Sequence, residues 1–174
     1  MTTPLPADAE TLFARLRDSL KTALAAEAAA GAETPAFIGI HTGGAWLAAR
    51  LHHELGLDSP LGFLSSAFYR DDVQARGLSA RMQPTRIDFE VAGRSIVLVD
   101  DILHTGRTIR AALNEIFDYG RPARVRLAVL IDRLERELPV QPDHVGAQIP
   151  LKAGERLVLS QQTSGLFDLR IEEK

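Results

Sequence analysis

Ile96-Val97-Leu98-Val99-Asp100-Asp101-Ile102-Leu103-His104-Thr105-Gly106-Arg107-Thr108 is the stretch on which the reading of this chain turns. Four apolar residues run into two adjacent carboxylates. A short turn with hydroxyls and a glycine follows, and then a helical pattern begins. The apolar run reads as a strand buried on both faces of a parallel sheet. Its carboxylates fall at the C-terminal end, where open α/β sheets bind ligands. Thr105 to Thr108 offers backbone N–H groups, hydroxyls and a helix N-terminus, a combination suited to phosphate. One segment thus holds hydroxyl-binding groups at one end and a phosphate cradle at the other, as a phosphorylated ribose would need.

Working outward, strands and helices alternate. Ala7 to Ala30 is helical by pattern, with Phe13, Leu16, Leu20 and Leu24 at helical spacing. Ala36–Ile40 reads as a short buried strand, and Gly43-Gly44 breaks it before a helix that carries Leu47, Leu51 and Leu55 on one face. Leu61–Phe68 reads as a strand. Tyr69–Pro84 is polar, arginine-rich and without periodicity, a long loop of the kind that often forms a lid. Ile87–Val91 alternates like a strand. After the central strand, a helix is expected with Ile109, Ala112, Leu113, Ile116 and Phe117 inward, stopped by Gly120 and Pro122. Val125–Ile131 reads as another buried strand, followed by a proline-punctuated loop and a last strand at Arg156–Leu159. The pattern predicts one α/β domain over residues 1–174 with a mainly parallel sheet flanked by helices.

Bulk properties narrow the function. The 174 residues include no cysteine, which excludes a disulfide framework, thiol catalysis and thiolate metal sites. A net charge of -3 gives no general attraction to nucleic acid. The sequence shows no long apolar run and no signal-peptide pattern, so a cytoplasmic location with no membrane partner is the expectation. Neither a Gly-Lys P-loop nor a Gly-x-Gly-x-x-Gly fingerprint is present, which sets aside ATPases and dinucleotide oxidoreductases. No His/Asp/Glu cluster has zinc-ligand spacing.

The stretch Ile96–Thr108 resembles the phosphoribosyl-pyrophosphate (PRPP) signature of type I phosphoribosyltransferases. Tyr69-Arg70-Asp71-Asp72, Gly120-Arg121-Pro122, Leu127 to Arg133 and Arg136-Glu137-Leu138-Pro139 extend the match. Together they resemble the family of bifunctional pyrimidine operon regulators with uracil phosphoribosyltransferase activity, from about residue 36 to the C-terminus. The resemblance implies a type I phosphoribosyltransferase fold with a core at about 30–132. A flexible flap at about 69–84 would join it, and a small hood from about 133–174, to which the N-terminal segment could contribute. It implies transfer of phosphoribosyl from PRPP to uracil, giving UMP and pyrophosphate, with Mg²⁺, in a homo-oligomer (dimer or tetramer).

Carried over by motif, Asp100 and Asp101 would hold the ribose hydroxyls and Mg²⁺, and Thr105, Gly106, Arg107 and Thr108 the 5′-phosphate. Thr42, Gly43 and Gly44 would form the pyrophosphate loop, though family members often have arginine where this chain has Gly43. Arg70 would close over the diphosphate from the flap. Pro142-Asp143-His144-Val145-Gly146 resembles a base-covering segment, which would put His144 and Val145 over the base. Arg133 would flank the base, and His104 stands where purine-specific relatives carry an aspartate. A surface-loop role is the plainer alternative for His144.

Two rival functions remain. One is a UMP-responsive RNA attenuator of pyrimidine genes, with Arg121, Arg124, Arg126, Arg133 and Arg136 as its cationic candidates. Against it stand the net charge, an N-terminal helix without the family's Thr/His pattern, and Ala147 in place of a lysine. RNA is therefore the less favoured partner. The other rival is a nucleotide sensor without catalysis, against which the intact Asp100-Asp101 pair speaks.

Overall fold

The computed structural model describes residues 3–65 and 83–173. Five parallel strands form the main sheet in the order β2-β1-β3-β4-β5. They are β1 (Ala36–Ile40), β2 (Leu61–Leu64), β3 (Ser95–Leu103), β4 (Arg124–Asp132) and β5 (His144–Gln148). Three helices are described: α1 (Ala9–Ala29), α2 (Gly43–Glu54) and α3 (Arg107–Asp118). A separate two-stranded antiparallel sheet, β6 (Glu155–Gln161) and β7 (Phe167–Glu173), completes the order.

Apolar residues alternate between two cores. Phe37, Val97, Val99, Ala128 and Leu130 face α1, α2 and the β6–β7 hairpin. Ile38, Ile40, Ile96, Leu98, Leu127 and Val129 face α3. Period-two alternation in strands covered on both sides leaves no polar face, which is why these runs read as continuously hydrophobic. In α1, Leu12, Phe13, Leu16 and Leu20 are fully buried. Asp8 caps its start by accepting the Thr11 N–H at 2.8 Å.

Arg50 fastens the layers together. Its guanidinium meets both carboxylate oxygens of Glu10 at 2.7 Å and Glu54 at 2.8 Å. It also lies 4.2 Å from the Phe13 ring centre and 5.1 Å from that of Phe167. Glu10 in turn accepts the Phe167 N–H at 2.7 Å. One arginine thereby joins α1, α2 and β7 through ionic and cation–π contacts.

Several expectations need correction. Ile87–Val91 is not a strand. Arg86 alone forms an antiparallel bridge to Phe63, and Ile87 and Val91 turn inward as core side chains. Their alternation marks burial of two apolar residues, without a neighbouring strand to pair along 87–91. Phe117 is 54% exposed, because α3's inward stripe runs through Ile109, Ala112 and Ile116. The region after β4 holds three strands where one was expected. The expected Leu61–Phe68 strand is described as Leu61–Leu64, and positions 66–82 lie outside the described residues.

β5 takes in His144 and Val145, which the sequence pattern places in a loop. His144 pairs with Ala128 and Val145 with Val129, inside the sheet. The His144 Nδ1 lies 2.9 Å from the Ser19 Oγ of α1, and the residue is 8% exposed. Beneath the same helix, Arg126 is bound to Glu27 at 2.7 and 2.8 Å. Through Ala128 and Val129 of β4, His144 and Val145 stand level with Val99 and Asp100 of β3. The local pattern around proline and glycine suggests a loop; pairing with β4 makes it a strand.

Burial, aided by the nearby Arg126 charge, pushes the His144 imidazole below its ordinary 6.5, and burial lowers His41 likewise. The unfolded chain therefore takes up protons as pH falls through 6.5, before the folded chain does. Stability is full above this range and falls as pH drops through it toward the depressed folded values. Thermal melts between pH 7.5 and 5.5 should show a falling Tm, and His144→Asn should flatten part of that slope. A slope unchanged in the variant would remove His144 as its source.

Candidate active site

The sheet winds outward in both directions from β1: to β2 on one side and to β3, β4 and β5 on the other. The crevice beyond the carboxyl ends of β1 and β3 is thus the switch point at which such sheets bind ligands. Two helix N-termini open onto this edge, α2 at Gly43 and α3 at Arg107. Each presents first-turn backbone N–H groups that have no partner within the helix, and a partial positive charge.

The turn from β1 into α2, His41-Thr42-Gly43-Gly44, lies directly against the end of β3. A Cβ built on Gly43 would stand 2.3 Å from Asp101 Oδ2, and one on Gly44 would stand 2.5 Å from the Val99 carbonyl oxygen. Neither distance is tolerable, so glycine at both positions is what lets the turn approach the carboxylates. The Asp101 side chain occupies the space that a side chain on residue 43 would need. The His41–Thr42 peptide is cis.

Asp100 is buried, and its Oδ1 accepts the Asp101 N–H at 2.9 Å. Asp101 is half-buried, and its Oδ1 accepts the Ile102 N–H at 3.0 Å. Three residues later the chain turns through Thr105, whose Oγ1 accepts the Arg107 N–H at 3.2 Å. Gly106 caps α3 at φ 91°, a left-handed conformation that favours glycine.

The segment after β4 folds back over this turn. The Thr105 carbonyl accepts N–H groups from Glu137 and Leu138 at 3.0 and 3.1 Å. Glu137 also holds Arg107, with Nε to Oε2 at 2.7 Å. Arg136 organises the segment: it meets Asp132 at 2.7 Å and donates to the Val140 and His104 carbonyls at 2.7 and 3.1 Å. Asp132 Oδ1 accepts the Leu134 N–H at 2.8 Å, holding Leu134 at φ 63°. Arg133 is buried, and its Nη2 bonds both oxygens of Glu135 at 2.9 and 3.0 Å. The Arg133 Nε is buried without a hydrogen-bond partner. His104 Nε2 lies 2.9 Å from Glu135 Oε2. Burial opposes ionisation of Glu135, but its bonds to Arg133 and His104 prevail and hold its carboxyl below the usual range.

The structure therefore brings Thr42, Gly43, Gly44, Asp100, Asp101, His104, Thr105, Gly106, Arg107, Thr108 and Arg133 to one sheet edge. His144 and Val145 lie in β5, where Val145 stands level with Asp100 through Val129, and Arg70 lies outside the described residues. Sequence reasoning missed Glu135 and Glu137 as partners of His104, Arg133 and Arg107. The alternating charges of Arg133-Leu134-Glu135-Arg136-Glu137 were the available signal. Beside Thr42, an open groove of about 610 Å³ runs between α2 and the β6–β7 turn, bordered by His41, Trp46, Arg50 and Gly165. It adjoins the β1–α2 turn from outside the crevice.

This fold and this edge define a phosphoribosyltransferase, and the phosphoribosyl transferase domain model matches residues 9–153. Solved structures share the architecture at low identity. A hypoxanthine-guanine phosphoribosyltransferase from Bacillus anthracis aligns at TM-score 0.61 and 22% identity, covering 86% of this chain and 82% of that one. The hypoxanthine phosphoribosyltransferase of Trypanosoma cruzi aligns at TM-score 0.62 and 20% identity, covering 84% and 81%. These likenesses speak to the fold alone.

Sequence relatives are much nearer. Bifunctional protein PyrR of Ralstonia nicotianae is 52% identical over 162 residues, covering 91% of this chain and 88% of its own length. Bifunctional protein PyrR of Pseudomonas aeruginosa is 50% identical over 159 residues, covering 91% and 90%. The chain belongs to the PyrR family of phosphoribosyltransferases.

Gly44→Ala should destabilise the protein by about 1–3 kcal/mol, the usual cost of overpacking. Gly43→Ala should cost less stability, because its obstacle is a rotatable carboxylate where Gly44 meets backbone. Denaturant melts of both variants would reverse this ordering if the turn were free to move away.

Proposed function

We propose that the protein transfers the phosphoribosyl group of PRPP to N1 of uracil, releasing UMP and pyrophosphate. The observation that carries this reading is the convergence of Asp100-Asp101 and two helix N-termini at one sheet edge. The PyrR relatives support it through their bifunctional name. A bacterial enzyme drawing on PRPP would work in the cytoplasm, and no described helix is long and apolar enough to cross a membrane.

In this reading Asp100 and Asp101 hold the ribose hydroxyls, and Thr105, Gly106, Arg107 and Thr108 hold the 5′-phosphate. Arg107 would then exchange the Glu137 carboxylate for phosphate oxygen. Thr42, Gly43 and Gly44 hold the leaving diphosphate with backbone N–H groups, and Arg70 adds a cation from the flap. The unpartnered Nε–H of Arg133 suits a carbonyl oxygen of the base.

Among the described residues no group of three or more His, Asp or Glu forms a metal cage. Two adjacent carboxylates fit Mg²⁺, which is held mainly by substrate oxygens and water. Bound with PRPP at Asp100 and Asp101, it would offset the charge that grows on the leaving diphosphate. The protein's own contribution is positioning and preorganised electrostatics.

The reading predicts uracil-dependent pyrophosphate release from PRPP. Asp100→Asn and Asp101→Asn should each lose roughly ten- to hundredfold in kcat/KM while remaining folded, since a charged hydrogen bond is worth about 1.5–3 kcal/mol. A pyrimidine panel with no release by the unmodified protein would sink the transfer reading and promote the nucleotide sensor.

RNA binding is the second reading, favoured by the relatives' bifunctional name. Of the five candidate arginines, Arg126 and Arg133 are buried, and Arg136 is committed to Asp132. Arg121 and Arg124 remain exposed. Each phosphate contact to single-stranded RNA contributes about -0.7 to the salt slope, so a patch this small should bind weakly. Gel shifts with leader RNA of pyrimidine genes, with and without UMP at several salt concentrations, should show no tight complex. UMP-stimulated, sequence-specific binding at physiological salt would instead establish regulation.

A further inference from the structure

His104, Glu135 and Arg133 form a chain of contacts in which substrate binding gives His104 and Glu135 no part. Glu135 is an acceptor only, with its carboxyl held below the usual range. The imidazole nitrogen facing it at 2.9 Å, Nε2, must therefore carry the proton. Nδ1 is left as the acceptor. This is the division of roles by which a carboxylate fixes the tautomer of a histidine base. The ring is also held in place from its backbone, because the His104 carbonyl accepts from Arg136 Nη1 at 3.1 Å. Arg133 is tied to the same point, since its N–H donates to the Leu103 carbonyl at 2.9 Å.

The chemistry calls for such a group. When N1 of a pyrimidine attacks C1′, the N1–C1′ bond forms and the C1′–O bond to diphosphate breaks. The bonding pair leaves with pyrophosphate, and the proton on N1 must go elsewhere. Other acceptors at this edge are engaged or stand at its phosphate end. Asp132 binds the Leu134 N–H and Arg136. Glu137 sits on Arg107, at the phosphate end of the segment. Asp100 and Asp101 carry the proposed hydroxyl contacts. A ribose 5-phosphate spanning Asp100-Asp101 and Thr105–Thr108 lies across Ile102, Leu103 and His104, and of these three only His104 has a proton-accepting side chain.

We infer that His104 accepts the N1 proton of the pyrimidine through Nδ1, as catalytic base, with Glu135 a positioning residue that stabilises the resulting imidazolium. Arg133 in turn orients Glu135. The inference rests on the pyrimidine-transfer reading above.

The test compares uracil with 5-fluorouracil, whose electron-withdrawing fluorine makes its N1–H more acidic. General-base assistance is worth about 10²–10⁴ in rate and follows Brønsted behaviour. His104→Gln should lower kcat for uracil by about a hundredfold, with the deficit shrinking to roughly tenfold for 5-fluorouracil. Glu135→Gln should lower kcat for uracil by about tenfold with the uracil KM little changed, and 5-fluorouracil should again recover part of the loss. Both side chains are partly exposed, and circular dichroism would verify that the variants fold. An equal deficit with the two bases, or no deficit, would overturn the role of His104. If the unmodified protein releases no pyrophosphate with any pyrimidine, the transfer reading itself fails first. Those two failures are separated by the activity of the unmodified protein.

Discussion

The approach of the β1–α2 turn to the end of β3 is the constraint on which the site depends. Gly43 and Gly44 allow two backbones to meet at the switch point, against the Asp101 carboxylate and the Val99 carbonyl. A side chain on residue 44 would meet the Val99 carbonyl and push the turn away, and one on residue 43 would displace the Asp101 carboxylate. The same contact aligns the N-terminus of α2 with the carboxylates, so the positive end of a helix dipole faces two negative groups. The parallel register of β1 with β3 brings these parts level, from Ala36 opposite Ile96 to Gly39 opposite Val99.

Around that contact, charge is arranged in layers of different energetic weight. Arg126 with Glu27 and Arg136 with Asp132 are largely buried and bidentate or multiply bonded. Removing one partner of such a pair strands the other charge, which costs about 3–5 kcal/mol even where the intact pair gains little. The Arg107–Glu137 pair is more than half exposed on both sides. Pairs of that kind contribute about 0–1 kcal/mol, so in the proposed reaction Arg107 would give up its carboxylate to a phosphate at little cost. Rigid pairs hold the segment after β4, and a weak pair occupies the cation that would have to change partner.

Legibility followed the range of the forces involved. The run Ile96–Val99, the Asp100-Asp101 pair and the Thr105–Thr108 turn are contiguous, so their periodicity and chemistry appear together in one line of sequence. The same holds for the apolar spacing of α1 and for Gly43-Gly44 as the end of a strand. Phe117 misled because it extends α3's apolar spacing by one residue beyond the stripe that meets the sheet. Ile87 and Val91 misled because alternation reports burial on one side, and says nothing about a hydrogen-bonding neighbour.

The sequence by itself determined the class of fold, the central strand, the carboxylate pair at its end and the Thr105–Thr108 turn proposed to hold phosphate, because each rests on residues within a few positions of one another. Tertiary structure decided that Pro142–Gly146 leads into a sheet strand, since only β4's unpaired edge supplies the hydrogen bonds that make it one. It also buried His144 under α1, joined Glu135 to His104 across 31 positions, and set Asp101 in the space beside Gly43. Those contacts link segments far apart in the chain. Their partners are fixed by packing and register, which no local pattern encodes.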